Sequence, residues 1–469
     1  MSDSKSKDGL NISVKSFITA IVVIFILMAL TYALTFIIPG GEYARVENAN
    51  GDLIIDTDSE FKYVDGGLPF WKWLLSPILV LGASGGGMLI AVIAFLLVIG
   101  GVFNSLESHG LMKYMLDRIV YRFGRARYKL MAALLLFFMA MGSFIGSFEE
   151  CVPLVPIVVA LSISLGWDAI TGMGISILAA GCGFAAGVCN PFTIGVAQGL
   201  VGLPMFSGAW LRAVNFVLIY ALLLLFVRWH AKKIEKPIDL SVGAGDFKHD
   251  KQMDKGLVCF GSILGAGILI VFSSSFISFL QDYTMVIVAV MFLAAGLAAT
   301  LVSGMTLSAL GRSFGKGVVS ILPAVIMILM AASIKYTLEE AHILDTILNG
   351  AVAAASTMPK WAVILFIYLL VLMLNFFIAS GSAKAFLLIP LIVPIAQVFG
   401  IPAQLCIMAY AFGDGFSNVF YPTNAALLIS LGLANVSYGQ WVKWSWKFQA
   451  ANLLLTSCML FVGLAVGYA

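Results

Sequence analysis

The amino-acid sequence nearly repeats itself at an offset of about 232 residues, half of its length of 469. Short phrases beside long apolar stretches match between the halves, such as SGAWLRAV with YGQWVKWS and GSFIGSFEE with ASGSAKAF. Two copies of one unit in an apolar chain indicate a transporter built from repeats, with its binding site between them. The matched residues are Leu106 with Leu338, Glu107 with Glu339, Pro191 with Pro422, Trp210 with Trp441, and Arg212 with Lys443.

Composition predicts that the repeat lies in a lipid bilayer. Hydrophobic residues make up 61% of the chain and charged residues 11%, with a mean hydropathy of +1.02, which is typical of a polytopic membrane protein. The net charge of +3, without a long basic run, argues against a nucleic-acid partner. The six cysteines lack the spacing of a metal site or a disulfide framework. The first apolar run has no small-residue cleavage pattern, so we expect a transmembrane helix there.

Seven apolar runs are long enough to cross about 30 Å of hydrocarbon, and four further runs are interrupted by polar phrases. The uninterrupted runs are 14–38, 84–104, 207–229, 256–280, 283–303, 320–336 and 437–468. The interrupted runs are 130–166 (broken at Gly142–Glu150), 168–203 (at Gly187–Thr193), 361–399 (at Ala379–Lys384) and 401–434 (at Gly413–Asn424).

Lysine and arginine predict the orientation of these runs. The residues before the first helix and the segments 113–129 and 228–255 are rich in both, so we expect them in the cytoplasm. The loop 39–80 is rich in acidic residues, and we expect it outside. We expect amphipathic surface helices at 112–129 inside and at 340–356 outside.

These assignments are consistent only if 130–166 and 361–399 are re-entrant hairpins, while the other two interrupted runs cross as broken helices. The apolar run 256–280 then crosses the membrane once more, so the second copy of the repeat has the opposite orientation to the first. We therefore predict an all-α membrane protein of two inverted repeats, with about nine transmembrane crossings and interleaved scaffold and transport domains. The predicted units are a first repeat 1–235, a cytoplasmic linker 236–255, a connecting helix 256–282 and a second repeat 283–469, with the N-terminus cytoplasmic and the C-terminus outside.

The two hairpin tips and two helix breaks leave backbone groups without helical partners at bilayer depth, where only protein or a water-filled cavity can satisfy them. Half-helix ends there can face an anion and a cation side by side. Hydroxyl and amide side chains at the breaks can bind Na⁺ or a carboxylate, or can simply cap the half-helices. These side chains are Ser143, Ser147, Asn190, Thr193, Ser380, Ser382, Ser417, Asn418, Thr423 and Asn424.

Four charged residues interrupt apolar stretches: Glu149, Glu150, Lys384 and Asp414. A charge inside the membrane costs several kcal/mol and usually faces a cavity, a partner or a permeant ion. Glu149 and Glu150 are adjacent, so both cannot point the same way in a helix. At least one is predicted to bind cationic substrate or to carry a coupling proton, the alternative being a salt bridge to Lys384. Lys384 would bind a substrate carboxylate or pair with a glutamate, and Asp414 would bind substrate or cap a helix.

The phrases IIPGGEY, GSFEE, NPFTIGVAQ, SGSAKA and FGDGFSNVFYPTNA occur in an order that resembles the YfcC/ArcD-like family, which is related to the DcuC dicarboxylate carriers and the AbgT transporters. The resemblance covers nearly the whole chain. It implies a homodimer in the bacterial inner membrane, whose mobile transport domain moves in an elevator fashion. It implies substrate-binding roles for Glu149, Glu150, Asn190, Ser382, Lys384, Asp414, Asn418 and Thr423. We expect Ser143, Ser147, Thr193, Ser380, Ser417 and Asn424 to bind a coupling ion, Na⁺ or H⁺.

The function predicted from these features is secondary transport of a small amino acid-like solute. The resemblance implies basic amino acids, with arginine/ornithine-type exchange or ion coupling. The alternative is a Na⁺- or H⁺-coupled carrier of mono- or dicarboxylates, in which Lys384 would bind the substrate. We expect neither an enzyme nor a cofactor, since the four histidines lie outside the breaks and no Walker-type loop occurs. A channel is disfavoured because hairpins that close a site from both sides suit alternating access.

Overall fold

Helices dominate the computed structural model, which describes residues 14–47, 53–56, 60–83, 86–204, 206–237, 249–274, 284–355 and 357–468. The helices are α1 Val14–Leu34, α2 Phe70–Leu79, α3 Gly86–Ser108, α4 Leu111–Phe123, α5 Arg127–Ala140, α6 Val155–Ser164, α7 Ala169–Met173, α8 Ala179–Ala186, α9 Val196–Leu200, α10 Ala209–Ile234, α11 Lys251–Ser274, α12 Thr284–Val302, α13 Leu307–Glu340, α14 Leu344–Ala355, α15 Lys360–Asn375, α16 Gly381–Val398, α17 Ala403–Asn418, α18 Ala425–Leu433 and α19 Tyr438–Ala465. Short antiparallel strands pair β1 (Gly41–Glu42) with β4 (Lys62–Tyr63) and β2 (Arg45–Glu47) with β3 (Leu53–Ile55).

Seven helical segments in the described part of the chain are long and apolar enough to cross a membrane. The predicted run 320–336 was too short, because it belongs to α13, which has 34 residues. Arg312 and Lys316 lie in the first turns of α13. Because these charged residues lower the local hydropathy, the apolar run in the sequence begins later than the helix does. The predicted linker 236–255 and the end of the connecting helix 256–282 lie partly outside the described residues.

In both predicted hairpins the first and the last residues of the segment lie close together. In the first, α5 passes through a π-helical turn (Met141–Ile145) and a 3-10 helix (Glu149–Leu154) into α6. Arg127 at its start donates a 3.0 Å hydrogen bond to the carbonyl of Leu165 at its end. In the second, α15 and α16 are joined by the tip 376–380, and Lys360 at the start lies beside Gly400 at the end.

The two predicted breaks in the crossing helices are also present, and one of them is displaced. α8 ends at Ala186, and a new π-helical segment begins at Pro191. The second break was predicted to begin at Gly413, but α17 continues through Asp414 to Asn418, so Asp414 is not a helix cap. The glycines on either side of Asp414 serve close packing: a Cβ on Gly415 would stand 2.3 Å from the Cα of Ala185 in α8.

Elements that the sequence offset equates lie at opposite ends of the molecule. α13 is about 50 Å long at 1.5 Å per residue. Its start is close to the end of α3, where Asn104 Nδ2 donates to the carbonyl of Ser313 at 2.6 Å. Its end is close to α2, where Lys72 and Glu340 form a 3.4 Å ion pair. Since α4 follows α3 and α14 follows α13, the equivalent helices α4 and α14 lie at opposite ends of α13.

Segments that the charge distribution assigns to one side are neighbours in the structure. Arg45 in the loop predicted to be outside pairs with Asp345 of α14 at 3.0 Å. At the other end, Arg118 of α4 pairs with Asp254 of α11 at 2.5 Å. The predicted surface helices α4 and α14 are therefore each tied to a segment of the same predicted side.

Most contacts between helices fall within two groups, which share one continuous hydrophobic core. α1, α2, α3, α11, α12 and α13 pack on one another, and α5, α8, α10, α15, α16, α17 and α19 form the second group, which contains both broken helices. In the first group α3 and α13 cross backbone to backbone, because a Cβ on Gly317 would stand 2.1 Å from the carbonyl oxygen of Gly100. This crossing tolerates only glycine.

Gly317→Ala should destabilise the protein by about 1–3 kcal/mol, because the added methyl group must push the backbones of α3 and α13 apart. Gly315→Ala is the matched control two residues away, since a Cβ there meets nothing within 4 Å. It should be neutral or stabilising by up to about 1 kcal/mol, as alanine is the better helix former. Thermal melting of the detergent-purified variants measures both, and equal melting temperatures would contradict the backbone contact.

Candidate functional site

The site lies where the tips of both hairpins meet the breaks of both crossing helices. A Cβ on Gly381, the first residue of α16, would stand 2.9 Å from Asp414 Oδ2 of α17 and 2.9 Å from the side chain of Thr193 at the other break. Gly146 at the first tip has φ +77°, and a Cβ there would stand 2.5 Å from Asn190 Oδ1. Residues from both halves of the sequence therefore meet here, and glycine at positions 146 and 381 leaves the space for this close approach.

A buried ion pair joins the second tip to the second broken helix. Lys384 Nζ lies 2.6 Å from Asp414 Oδ1, and both side chains are fully buried. The predicted salt bridge of Lys384 to a glutamate is therefore not formed, because Asp414 takes that place. Asp414 Oδ2 has no hydrogen-bond partner among the described residues, so the ion pair through Oδ1 is the principal compensation of this carboxylate.

Asn375, at the end of α15, contacts most of the polar residues in the second half of the site. It was not predicted from the sequence as a site residue. Its Nδ2 donates to Ser417 Oγ at 2.7 Å, to Asn418 Oδ1 at 2.8 Å and to the carbonyl of Asp414 at 3.1 Å. Its Oδ1 accepts a hydrogen bond from Lys384 Nζ. Asn424 completes the chain, donating to Asn418 Oδ1 at 3.1 Å while it caps α18. The offset of 232 equates Asn375 with Ser143, which could have revealed it.

Ser143 and Asn190 hold the first tip and the first break together through contacts with backbone groups. Ser143 Oγ accepts the N–H of Val188 at 3.0 Å, and the Ser143 carbonyl accepts the N–H of Cys189 at 3.1 Å. Asn190 Oδ1 accepts the N–H groups of Phe192 and Thr193, so Asn190 is the cap of the new helix. For Ser143 and Asn190 the capping alternative is therefore realised, whereas Thr193 Oγ1 is buried without a partner among the described residues.

The two adjacent glutamates face different surroundings. Both are half-buried on the 3-10 helix that follows the first tip. Glu149 follows the first tip directly and forms no ion pair with a described residue. Glu150 instead lines an apolar cavity between the first hairpin and the helices α11 and α12, together with Met141, Leu154, Leu264, Val288, Met291 and Phe292.

Equivalent backbone carbonyls in the two helix breaks accept hydrogen bonds from different side chains. Arg212 of α10, fully buried, donates to the carbonyl of Val188 through Nε and Nη2, both at 3.2 Å. At the equivalent carbonyl, that of Val419, Trp441 of α19 donates through Nε1 at 2.8 Å. Arg212 is also held by the hydroxyl of Tyr468 at 2.9 Å.

The remaining predicted residues have no hydrogen bond to the central cluster. Ser380 caps α16 at its exposed start, and Ser382 is half-buried in the first turn of α16. Ser147 is buried just before Glu149, and Thr423 Oγ1 is buried without a partner among the described residues. A search of the described residues finds no cluster of three or more His, Cys, Asp or Glu side chains that would suit a metal ion.

The fold and the site define a multi-pass membrane transporter, and comparison with known proteins gives its family. The chain belongs to the DcuC family, described as C4-dicarboxylate anaerobic carriers, whose model matches residues 17–465. The family resemblance noted in the sequence is thereby confirmed.

Two relatives match over most of their length. The chain is 29% identical over 402 residues to the Escherichia coli K12 protein named "Putative basic amino acid antiporter YfcC", with 81% of this chain and 79% of that protein covered. It is 26% identical over 381 residues to an uncharacterised Haemophilus influenzae protein, with 79% and 75% covered.

Two solved transporter structures are also similar. The YdaH transporter of Alcanivorax borkumensis matches with a TM-score of 0.46 and 19% identity, covering 96% of this chain and 98% of that one. MtrF of Neisseria gonorrhoeae, described as one of a class of antimetabolite efflux pumps, matches with a TM-score of 0.45 and 15% identity, covering 94% of each chain.

Lys384→Met should destabilise the protein by about 3–5 kcal/mol in sodium-free buffer, because it leaves the buried Asp414 carboxylate without a cation. Adding Asp414→Asn should recover most of that loss. Lys335→Met is the matched control, since Lys335 forms only a surface pair with Glu339, and should cost less than about 1 kcal/mol. A thermal-melting cycle measures the coupling. Additive effects of the two site substitutions would show that the ion pair is absent.

Proposed function

We propose that this protein exchanges small amino acid-like solutes, basic amino acids of the arginine and ornithine type, as a secondary transporter. The observation that supports this most is the position of Glu149, an acidic side chain that is half-buried at the first tip and has no ion-pair partner among the described residues. Since Asp414 already neutralises Lys384, this unpaired acidic side chain favours a cationic substrate over an anionic one. The name of the Escherichia coli relative supports the same substrate class.

The proposed binding mode places the two ends of an amino acid on different parts of the site. The cationic side chain binds at Glu149, and the α-carboxylate binds near the start of α16, where helix N–H groups and the hydroxyl of Ser382 are available. Asn190, Asn418 and Thr423 line the space between the two halves. In this proposal Lys384 and Asp414 contribute to substrate binding because their ion pair determines the shape and the charge of the second tip.

The coupling ion is proposed to be Na⁺ or H⁺. The hydroxyl and amide groups of Ser143, Ser147, Thr193, Ser380, Ser417 and Asn424 are the proposed ion ligands, of which Thr193 supplies an oxygen without a partner among the described residues. Glu150 is the proposed proton carrier, because a carboxylate against apolar side chains of α11 and α12 is favoured in its neutral form.

The proposed movement is an elevator motion of an inverted-repeat transporter. The helix group that contains both hairpins and both broken helices is the proposed transport domain, and the group around α13 is the proposed scaffold and homodimer contact. We propose about nine crossings of a bacterial inner membrane, with the N-terminus in the cytoplasm and the C-terminus outside. The opposite placement of α4 and α14 about α13 supports the inversion.

The second candidate is a carrier of mono- or dicarboxylates, which the family description favours. In that case the substrate carboxylates would bind at the start of α16 and at Lys384, and the glutamates would carry the coupling proton. The ion pair of Lys384 with Asp414 would have to open for such a substrate to bind.

Glu149→Gln should lower the kcat/KM for arginine and ornithine counterflow in proteoliposomes by at least about tenfold, since it removes a charged contact worth about 1.5 kcal/mol or more. Glu150→Gln, its matched neighbour, should keep the affinity for basic amino acids and lose the response to a pH gradient. Labelled dicarboxylates and a Na⁺ gradient complete the assay. Arginine uptake that is unchanged in both variants, or a preference for dicarboxylates, would favour the second candidate.

Ser380→Cys at the exposed second tip should change its reactivity with a membrane-impermeant thiol reagent when substrate is added, because the elevator motion carries the tip across the membrane. The background needs Cys458→Ser, Cys189→Ser and Cys259→Ser, since these three thiols are exposed or half-buried. Ser308→Cys on the scaffold helix α13 is the control and should react equally in all conditions. Constant reactivity at position 380 would contradict a moving transport domain.

A further inference from the structure

The ammonium group of Lys384 is enclosed by oxygen atoms of three chemical kinds. The carboxylate oxygen Oδ1 of Asp414 lies 2.6 Å from Nζ, the carbonyl oxygen of Ile378 lies 3.2 Å away, and the amide oxygen of Asn375 also accepts a hydrogen bond from it. Carboxylate, backbone carbonyl and side-chain amide oxygens are the ligands that hard metal cations take in proteins. The lysine therefore occupies a position with the ligand chemistry of a metal-cation site.

This oxygen cage is built into the fold rather than shaped by the lysine alone. α15 ends at Asn375, and the N–H of Ile378 bonds back to the carbonyl of Leu374 at 2.8 Å, which leaves the Ile378 carbonyl as a free helix-end acceptor. Asn375 Nδ2 faces three acceptors of the second broken helix and shares its two hydrogens among them, which fixes the amide so that its oxygen faces Lys384. Two of the three cage oxygens are thus oriented by contacts that do not involve Lys384.

The charge of the cage suits one monovalent cation. Asp414 contributes a single negative charge, and Asn375 and Ile378 contribute neutral oxygens, so one positive charge leaves the buried site neutral. A divalent ion would leave an uncompensated buried charge, which costs several kcal/mol. Spare ligand capacity also exists nearby, because Asp414 Oδ2 and Thr193 Oγ1 are buried without a hydrogen-bond partner among the described residues.

We propose that Lys384 is a tethered substitute for a metal ion, and that Asn375 Oδ1, Ile378 O and Asp414 Oδ1 form a site that binds Na⁺ once the lysine ammonium is removed. The proposal rests on the proposed transport function only in placing this cage at the substrate site. The intact protein then needs no Na⁺ at this position, because the side chain supplies the cation at high effective concentration.

Lys384→Ala tests this, because alanine removes every side-chain atom beyond Cβ and leaves the cage open to a cation and water. The purified variant is melted in choline chloride, with NaCl or KCl replacing it at constant ionic strength. We expect a saturable rise of several degrees with Na⁺ for Lys384→Ala, beyond any rise that the wild-type protein shows from a coupling ion bound elsewhere. Lys384→Ala with Asp414→Asn should respond no more than the wild-type protein, and neither should the control Lys335→Ala.

Each other outcome decides against the proposal. A folded Lys384→Ala that Na⁺ stabilises no more than the wild-type protein overturns it, and so does a variant that is stabilised only by lowering the pH, which would mean that Asp414 takes a proton. If Lys384→Ala does not fold even in NaCl, Lys384→Ser is measured in the same way, and failure of both to fold in NaCl also overturns it. Since the readout is melting, a wild-type protein that fails to exchange amino acids refutes the proposed function and leaves this result standing.

Discussion

Backbone groups broken at membrane depth must find partners inside the protein, and this constraint organises the centre of the molecule. The carbonyls of Val188 and Val419, one at each helix break, accept hydrogen bonds from Arg212 of α10 and Trp441 of α19. Arg212 also donates to the hydroxyl of Tyr468, which holds it at the first of these positions. The C-terminal end of the chain therefore stabilises a break that lies more than two hundred residues earlier in the sequence.

The two halves solve the same packing problem with different chemistry. At equivalent positions, Ser143 satisfies the first break with one hydroxyl and one carbonyl, whereas Asn375 ties the second break to a charged pair. A serine fits because only backbone groups need partners in the first half. An amide is needed in the second half, since it must accept from Lys384 and donate to α17 at once. The repeat determines where the helices break, and the residue types at the equivalent positions determine whether each break carries a charged pair.

The sequence was sufficient to predict the hairpins and broken helices, because interruptions of apolar runs are visible at the level of residue type. It placed the second break too early, since glycines around Asp414 look like a break when they in fact allow α17 to touch Ala185. It could not predict which acid pairs with Lys384. That choice depends on the contact of Gly381 with Asp414 across the tip, a distance that no spacing along the chain encodes. Asn375 was missed because a lone amide at the end of an apolar run resembles an ordinary helix end.

Charge accounting links the site to the proposed substrate. Lys384 and Asp414 neutralise each other, and Glu150 lies against apolar side chains where its neutral form is favoured. Glu149, like Glu150, has no ion-pair partner among the described residues, and it is the one of the two that does not line this apolar cavity. In this conformation a cationic guest lowers the electrostatic energy of the tip and an anionic guest raises it. For an anion to bind, Lys384 must first leave Asp414, so the strength of that buried ion pair separates the two candidate functions.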